Sequence, residues 1–197
     1  MNTFWDERFS VDEYVYGTEP NLFYKEQLQN LKPGKILFPA EGEGRNVVYA
    51  AEKDWDVVAF DSSIEGKKKA EKLAAEKGVK IEYHITDYEN VHFKLESFDC
   101  IVLIFAHMHP LKRTDYHQKL LSYLKPGGTI ILEGFSKKQI NNNTGGPPNI
   151  DMLFSKEELQ KDFISLSELD ISETDVKLNE GPFHQGTASV IRVVGKK

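Results

Sequence analysis

One stretch of the chain, residues 36–61, constrains the fold most because it joins two short apolar runs through a glycine turn. The first run is three residues long, too short for a helix, and a proline follows it. Gly42 and Gly44 make the turn, a helical segment follows, and Val57–Phe60 is a second buried strand that ends at Asp61. This order predicts a βαβ unit whose two strands lie parallel in one sheet.

The glycine turn and the acid together predict a site for a nucleoside ligand. Glycines let the backbone approach a ligand closely, and a helix N-terminus offers free N–H groups. An acid at the tip of the second strand, here Asp61, can accept hydrogen bonds from both ribose hydroxyls. A dinucleotide site has a third glycine where this chain has Val47. These residues alone leave open an ordinary βαβ turn with a solvated acid.

Length and composition predict a single globular domain that does not act on nucleic acid. At 197 residues the chain can bury a full α/β core. Its net charge is −6, and no basic stripe with interleaved aromatics is present, which argues against RNA or DNA as the main partner. The single cysteine, Cys100, lies in an apolar run and favours a reducing compartment. Because no signal-like start and no run of about 18 apolar residues occurs, we expect a cytoplasmic protein that does not cross a membrane.

Strand-like and helix-like patterns alternate along the rest of the chain. Ser62 with Glu65, and Ser155 with Glu158, have the spacing of capping boxes, which begin helices. The alternation predicts one α/β domain with a doubly wound parallel sheet and an antiparallel pair at its end. Helices are predicted at 21–31, 45–53, 62–78, 111–124 and 155–163, strands at 79–83, 98–105, 129–135, 164–173 and 186–194, and a long polar loop at 136–151.

The first twenty residues are rich in aromatic side chains but have no clean period. Trp5 and Tyr16 are unusual in a solvated tail. Two interpretations are compatible: a lid that folds over a ligand, or an N-terminal arm that packs on the core. In a lid, the rings would contact a cationic ligand through their faces.

Several blocks, in this order, resemble the class I S-adenosylmethionine-dependent methyltransferases, and within them the tellurite-resistance and thiopurine methyltransferases. The blocks are FWDERFSVDEYVYGTEPN, AEGEGRN, the acids Asp61 and Asp87, FAHMHPLKR with LKPGGTIILEGF, and LNEGPFHQGTASVIRVVGKK. The resemblance implies a Rossmann-like, seven-stranded, mostly parallel sheet whose last strand is antiparallel. A single domain, 1–197, would comprise a lid and helix (1–34), a cofactor-binding half (35–135) and a substrate-side half (136–197).

The resemblance also implies roles for individual residues. Gly42 and Gly44 would face the methionine end of the cofactor with Arg45 nearby, and Asp61 would bind the ribose. The chain departs from the family at residues 38–41, FPAE, where many members have Asp-Leu-Gly-Cys, but Glu41 can supply a carboxylate instead. The other implied cofactor contacts are Asp87 and Tyr88 for adenine and Phe105 for the reacting methyl group, with His107 beside it.

Methyl transfer is an in-line displacement that depends mainly on positioning. A soft anionic nucleophile needs no strong base, whereas oxygen or nitrogen usually does. The candidate bases are His107, His109 and His184, and no further ligands accompany the first two at metal spacing. Arg113 could attract an oxyanion substrate, and Glu180 with His184 could approach the pocket from the last hairpin.

The sequence therefore predicts a methyltransferase that acts on a small molecule, such as a chalcogen oxyanion or a thiol, with S-adenosylhomocysteine as product. A monomer or homodimer is expected. Two alternatives stay open: a nicotinamide-dependent oxidoreductase, and a non-catalytic protein that binds S-adenosylmethionine.

Overall fold

The structure is a computed structural model that describes residues 3–197, and its centre is a seven-stranded sheet. The helices are α1 (Thr3–Phe9), α2 (Leu22–Leu28), α3 (Arg45–Ala51), α4 (Ile64–Glu76), α5 (Pro110–Tyr123) and α6 (Lys156–Asp162). The strands are β1 (Lys35–Pro39), β2 (Asp56–Asp61), β3 (Glu82–Ile85), β4 (Phe98–Ile104), β5 (Leu124–Phe135), β6 (Glu168–Asn179) and β7 (Gln185–Lys196). Among the described residues, no helix is long and apolar enough to cross a membrane.

The strand order is β3-β2-β1-β4-β5-β7-β6. Strands β1 to β5 pair in parallel, β7 runs antiparallel to β5, and β6 pairs antiparallel with β7. The predicted α/β fold, a doubly wound and mostly parallel sheet with an antiparallel last strand, is confirmed. The order reverses between β1 and β4, and open α/β sheets bind ligands at such a reversal, beyond the carboxyl ends of the strands.

Each face of the sheet carries its own hydrophobic core because successive strand residues point to opposite faces. In β1, Phe38 packs with Tyr24 and Val47 under helices α2 and α3. Its neighbour Leu37 packs on the other face, with Leu121 and Phe163 beside α5 and α6. The βαβ unit predicted from residues 36–61 is therefore buried on both faces, which fixes where its turn and its terminal acid lie.

One predicted helix start is displaced by a residue. The N-cap of α4 is Ser63, whose hydroxyl accepts a hydrogen bond from the N–H of Gly66 at 3.0 Å, and not Ser62. The reason is that Asp61 accepts a hydrogen bond from the Ser63 N–H at 2.8 Å, which adds a residue to the turn before the helix. The second predicted capping box, Ser155 with Glu158, is present at the start of α6.

The predicted strand bounds differ most at β5, which begins at Leu124, five positions early, and in the last hairpin. Strand β3 begins at Glu82, three positions after the alternating pattern starts. The hairpin strands are each 12 residues long; β6 begins four positions later and ends six positions later than predicted, and β7 ends two positions later. Their outer positions are polar and solvent-exposed, so hydrophobicity did not mark the bounds. The predicted loop at 136–151 contains two short 3₁₀ turns, Lys137–Asn141 and Ile150–Met152.

Gly44 should be the least replaceable glycine of the turn. A Cβ there would lie 2.5 Å from the Cβ of Ala70, and the residue has φ +90°. We expect Gly44→Ala to lower the free energy of unfolding by about 2–4 kcal/mol, because overpacking adds to left-handed strain. Gly78→Ala is the matched control, with φ +69° and no described atom within 4 Å of the new Cβ. Gly78→Ala should lower the free energy of unfolding by only about 1 kcal/mol. If urea unfolding showed the same loss of stability in both variants, it would contradict the packing argument.

Candidate functional site

A cavity of about 320 Å³ opens at the carboxyl ends of β1, β2 and β4, where the strand order reverses. We call it the cleft. It is lined by the N-terminal arm, the glycine turn and the segments after β2, β3 and β4. The lining residues are Trp5, Phe9, Tyr16, Gly17, Ala40, Glu41, Gly42, Glu43, Arg45, Asn46, Phe60, Asp61, Ser62, Thr86, Asp87, Tyr88, Ile104, Phe105, Ala106, His107, Met108, His109, Tyr116, Phe135 and His184.

The glycine turn brings bare backbone to the floor of the cleft. Gly42 and Gly44 both have left-handed φ values, +62° and +90°. Ala40 also has a positive φ, +52°, at the position where the family has glycine, so its small side chain preserves the turn with some strain. A Cβ on Gly42 would lie 3.0 Å from the ring of Phe9, so the turn and the arm are in close contact.

Glu41 fills the N-terminus of α3. Its Oε1 accepts hydrogen bonds from the N–H groups of Asn46 at 2.8 Å and Val47 at 2.9 Å. Burial raises the pKa of the Glu41 carboxyl to about 7, and these backbone hydrogen bonds oppose the shift. The side chain of Asn46 also hydrogen-bonds this carboxyl, and Glu41 lines the cleft, so its remaining lone pairs face a possible ligand donor.

Asp61 lies at the tip of β2 and joins two turns. Its Oδ2 accepts a hydrogen bond from the Gly42 N–H at 3.0 Å, and its Oδ1 accepts one from the Ser63 N–H at 2.8 Å. Burial raises the pKa of this carboxyl. These two hydrogen bonds hold Asp61 in one orientation. Each carboxylate oxygen keeps a second lone pair, so Asp61 can still accept hydrogen bonds from a pair of hydroxyls.

Tyr88 offers a polar group that the protein leaves unsatisfied. Its hydroxyl is buried and has no hydrogen-bond partner among the described residues. Its ring stacks on Tyr116 at 5.1 Å between centroids. Asp87 is exposed beside it, and both of its oxygens accept hydrogen bonds from Asn90. Because buried polar groups are normally paired, the orphaned hydroxyl is an exception on a residue that lines the cleft.

The N-terminal arm is packed on the core and also forms a wall of the cleft. Glu43, between the two glycines, accepts hydrogen bonds from the N–H groups of Val15 at 3.1 Å and Tyr16 at 3.3 Å. Asp6 accepts hydrogen bonds from the Ser63 hydroxyl at 2.7 Å and from the N–H that begins α4. Trp5 stacks on Phe9 at 5.4 Å between centroids. Sequence analysis missed Glu43 and Asp6, since their partners are far away along the chain.

His107 reaches the cleft, but the structure contradicts its predicted role as a base. Its Nδ1 donates to the carbonyl of Met152 at 2.9 Å, and its Nε2 accepts from the N–H of Phe135 at 3.0 Å. The ring also stacks on Phe154 at 4.5 Å. Burial lowers the pKa of His107 to about 4. Both ring nitrogens are engaged with backbone, so none is free to accept a substrate proton.

The prediction that Arg113 meets substrate is wrong for a similar reason. Its guanidinium is buried and pairs with Asp162 at 2.7 Å and Glu158 at 3.3 Å. Asp162 also accepts from His117 and holds α5 against α6. Arg113 does not line the cleft, and its charge is already neutralised there.

His184 and Arg45 line the cleft, and Glu180 lies behind them, outside its lining. Glu180 pairs with Arg45 at 2.9 Å and with Nδ1 of His184 at 3.2 Å. These partners hold the pKa of Glu180 at about 2, against its own burial. The pair links the glycine turn to the tip of the last hairpin. The sequence indicated the hairpin residues but not their partner in the turn.

Comparison with known proteins agrees with the fold. Residues 36–128 match the family model described as a methyltransferase domain. This segment is therefore similar to a methyltransferase domain. A curated relative, phosphoethanolamine N-methyltransferase 1 of Arabidopsis thaliana, is 29% identical over 123 residues, which are 61% of this chain and 25% of the relative. The chain therefore spans about a quarter of the length of that relative.

Two solved structures illustrate the likeness of the fold. An S-adenosylmethionine-dependent methyltransferase from Methanosarcina mazei has a TM-score of 0.71 at 19% identity, over 87% of this chain and 96% of the other. TehB from Haemophilus influenzae has a TM-score of 0.71 at 13% identity, over 98% of this chain and 66% of the other. The domain match, together with the glycine turn, Asp61 and the orphaned Tyr88 hydroxyl, supports S-adenosylmethionine as the cofactor.

The neutral state of His107 should make the protein sensitive to acid. The pKa of His107 is about 4 in the folded protein against an ordinary value of 6.5. The unfolded chain therefore binds the proton first, and stability is lost as the pH falls from about 6.5 towards 4. His107→Gln can keep both backbone hydrogen bonds but cannot bind the proton. We therefore expect the free energy of unfolding of this variant to fall by roughly 2–3 kcal/mol less than that of the wild type over this pH range.

Urea unfolding at the two ends of this pH range measures the effect. His92→Gln is the control, because His92 is exposed and does not line the cleft. An unchanged pH dependence in His107→Gln would mean that His107 accepts a proton in the folded protein at no cost.

Proposed function

We propose that this chain is an S-adenosylmethionine-dependent methyltransferase that transfers the methyl group to a small, uncharged molecule. The observation that carries the proposal is the convergence of the glycine turn, Asp61 and the orphaned Tyr88 hydroxyl on one cleft at the reversal of the strand order. The family match over residues 36–128 supports the same activity.

The cofactor would lie across the cleft from the arm to β3. Asp61 would accept the ribose hydroxyls, and Asp87 and Tyr88 would border the adenine. Glu41 would receive the methionine ammonium in place of the Asp that the family has before its glycine turn. Trp5, Tyr16 and Phe105 would surround the sulfonium, whose positive charge favours aromatic faces.

The charge of the cleft selects for a cationic cofactor. Four acidic side chains line it, Glu41, Glu43, Asp61 and Asp87, of which Glu43 pairs with Lys69 at 2.8 Å, against one guanidinium. That guanidinium, from Arg45, is already paired with Glu180 at 2.9 Å. A positively charged donor is attracted to this field, and an oxyanion acceptor is repelled by it. The cleft therefore argues against tellurite or selenite as acceptor and favours a thiol or another uncharged nucleophile.

The same groups disfavour a nicotinamide dinucleotide. Its pyrophosphate would need the N–H groups at the start of α3. Glu41 already occupies two of these, from Asn46 and Val47. The carboxylate would also repel the phosphates. We further propose that the protein works in the cytoplasm on a small molecule, as a monomer or homodimer.

Calorimetric titration with S-adenosylhomocysteine tests the proposed function. We expect low-micromolar binding that Asp61→Ala abolishes, because both the ribose contact and the orientation of Gly42 are lost. Asp56→Ala is the matched control, since Asp56 is exposed at the opposite end of the same strand. Absence of binding to the wild type would overturn the proposal. Binding without transfer to any acceptor would make the chain a non-catalytic cofactor-binding protein.

Binding of the cofactor beside Glu41 should release protons from its carboxyl. Its pKa is about 7 without ligand, so a large fraction of the carboxyls is protonated just below neutral pH. An ammonium placed beside it favours the ionised form, and binding should release between about 0.5 and 1 proton. Titrations in buffers with different ionisation enthalpies measure this release. Glu41→Gln should abolish it, and a wild type that releases no proton would remove Glu41 from the cofactor contacts.

A further inference from the structure

Among the described histidines that line the cleft, His184 is the one whose Nδ1 contacts a carboxylate and whose Nε2 has no hydrogen-bond partner. Its Nδ1 lies 3.2 Å from Oε2 of Glu180, so Nδ1 carries the proton and donates it. Among residues 3–197 no hydrogen-bond partner is found for Nε2, which is therefore left with a free lone pair. His107, by contrast, has both nitrogens engaged.

The carboxylate behind His184 is fixed by two further groups. Oε2 of Glu180 also accepts from Arg45 at 2.9 Å, and Oε1 accepts from the side-chain amide of Asn21 at 3.1 Å. Arg45 belongs to the glycine turn and Asn21 caps α2. Three separate elements therefore hold the imidazole in one tautomer and one orientation, which a proton acceptor in catalysis needs.

The long loop passes close to the Nε2 edge of the ring. Gly145 has φ +115°, and a Cβ there would lie 3.1 Å from Nε2 and 2.8 Å from Cδ2 of His184. Any side chain at this position would cover the nitrogen. The predicted substrate-side loop thus approaches His184 with a glycine, the one residue type that adds no side-chain atoms against Nε2.

The surroundings of His184 are mostly aromatic, and the nearby cations are Arg45, which pairs with Glu180, and Arg8, which donates to the Tyr16 hydroxyl. The ring lies 4.5 Å from Tyr16, 4.6 Å from Phe105 and 5.3 Å from Phe135, between centroids. Such walls suit the apolar body of a planar molecule. A fixed histidine with a free lone pair can act as a general base only when the nucleophilic atom of the acceptor still carries a proton on binding.

We propose that His184, oriented by Glu180, takes the proton from an aromatic hydroxyl compound and that this chain methylates its oxygen. This inference rests on the proposed function and names the acceptor class. The acceptor O–H bond breaks and its proton goes to Nε2. The oxygen forms a bond to the donated methyl carbon, and the electron pair of the broken C–S bond remains on sulfur. The products are a methyl ether and S-adenosylhomocysteine, and the proton then leaves His184 for solvent.

The test compares phenol with thiophenol as acceptors. Phenol keeps its proton at neutral pH, whereas thiophenol is largely a thiolate and needs no base. We expect His184→Asn to lower kcat for phenol by at least about 100-fold and to change kcat for thiophenol only severalfold. His92→Asn, in an exposed loop, is the control. Calorimetry with S-adenosylhomocysteine on each variant reports whether the cofactor site is intact.

A second readout does not depend on turnover. Phenol binding to the protein saturated with S-adenosylhomocysteine is followed by calorimetry, and the His184 ring is titrated by NMR. The charged and titratable groups that face this ring are Glu180, Arg45, Arg8, Tyr16 and His107. Glu180→Gln should lower the pKa of His184 and weaken phenol binding in parallel, because the carboxylate raises the basicity of the imidazole.

The outcomes separate the two proposals. If His184→Asn binds S-adenosylhomocysteine normally but loses phenol and thiophenol transfer equally, His184 only positions the acceptor and the inference fails. If the wild type methylates thiophenol and never phenol, the acceptor is a soft anion and the inference also fails. Failure of the wild type to bind S-adenosylhomocysteine would instead overturn the proposed function. If His184→Asn melts early, Glu180→Gln decides the question through the same pair of acceptors.

Discussion

The carboxylate of Asp61 is the contact on which the cleft depends. It accepts one hydrogen bond from the N–H of Gly42 and another from the N–H of Ser63, and so joins the turn after β1 to the turn after β2. Both N–H groups are backbone donors that would otherwise be buried without a partner. The cost of burying this charge is offset because the oxygens are hydrogen-bonded, and free lone pairs remain for a ligand.

A second set of acids connects the cofactor half to the rest of the molecule. Glu43 holds the arm through two backbone N–H groups and pairs with Lys69 at 2.8 Å, while Glu180 joins Arg45 to His184. These buried ion pairs are weak evidence for stability, because desolvation opposes the attraction. Their consequence is positional: the arm, the glycine turn and the last hairpin meet in one arrangement around the cleft.

The sequence predicted what local patterns determine. The βαβ unit, the capping box at Ser155 and the sheet class follow from periodicity, turn residues and helix caps, and the structure confirms them. Side-chain roles that depend on distant partners could not be read in this way. Nothing along the chain indicates that Arg113 is neutralised by Asp162, 49 positions away, or that Met152 and Phe135 occupy both nitrogens of His107. Polar outer faces likewise concealed the length of the last hairpin.

The most direct test of the account is a crystal structure of the protein with S-adenosylhomocysteine. The account predicts the ribose hydroxyls on the Asp61 carboxylate, the adenine beside Tyr88, and the sulfur directed towards Phe105 and His184. It also predicts that the α-ammonium lies against Glu41. A ligand bound outside the cleft, or a cleft that stays free of ligand at saturating concentration, would contradict the account and leave a methyltransferase fold with another use.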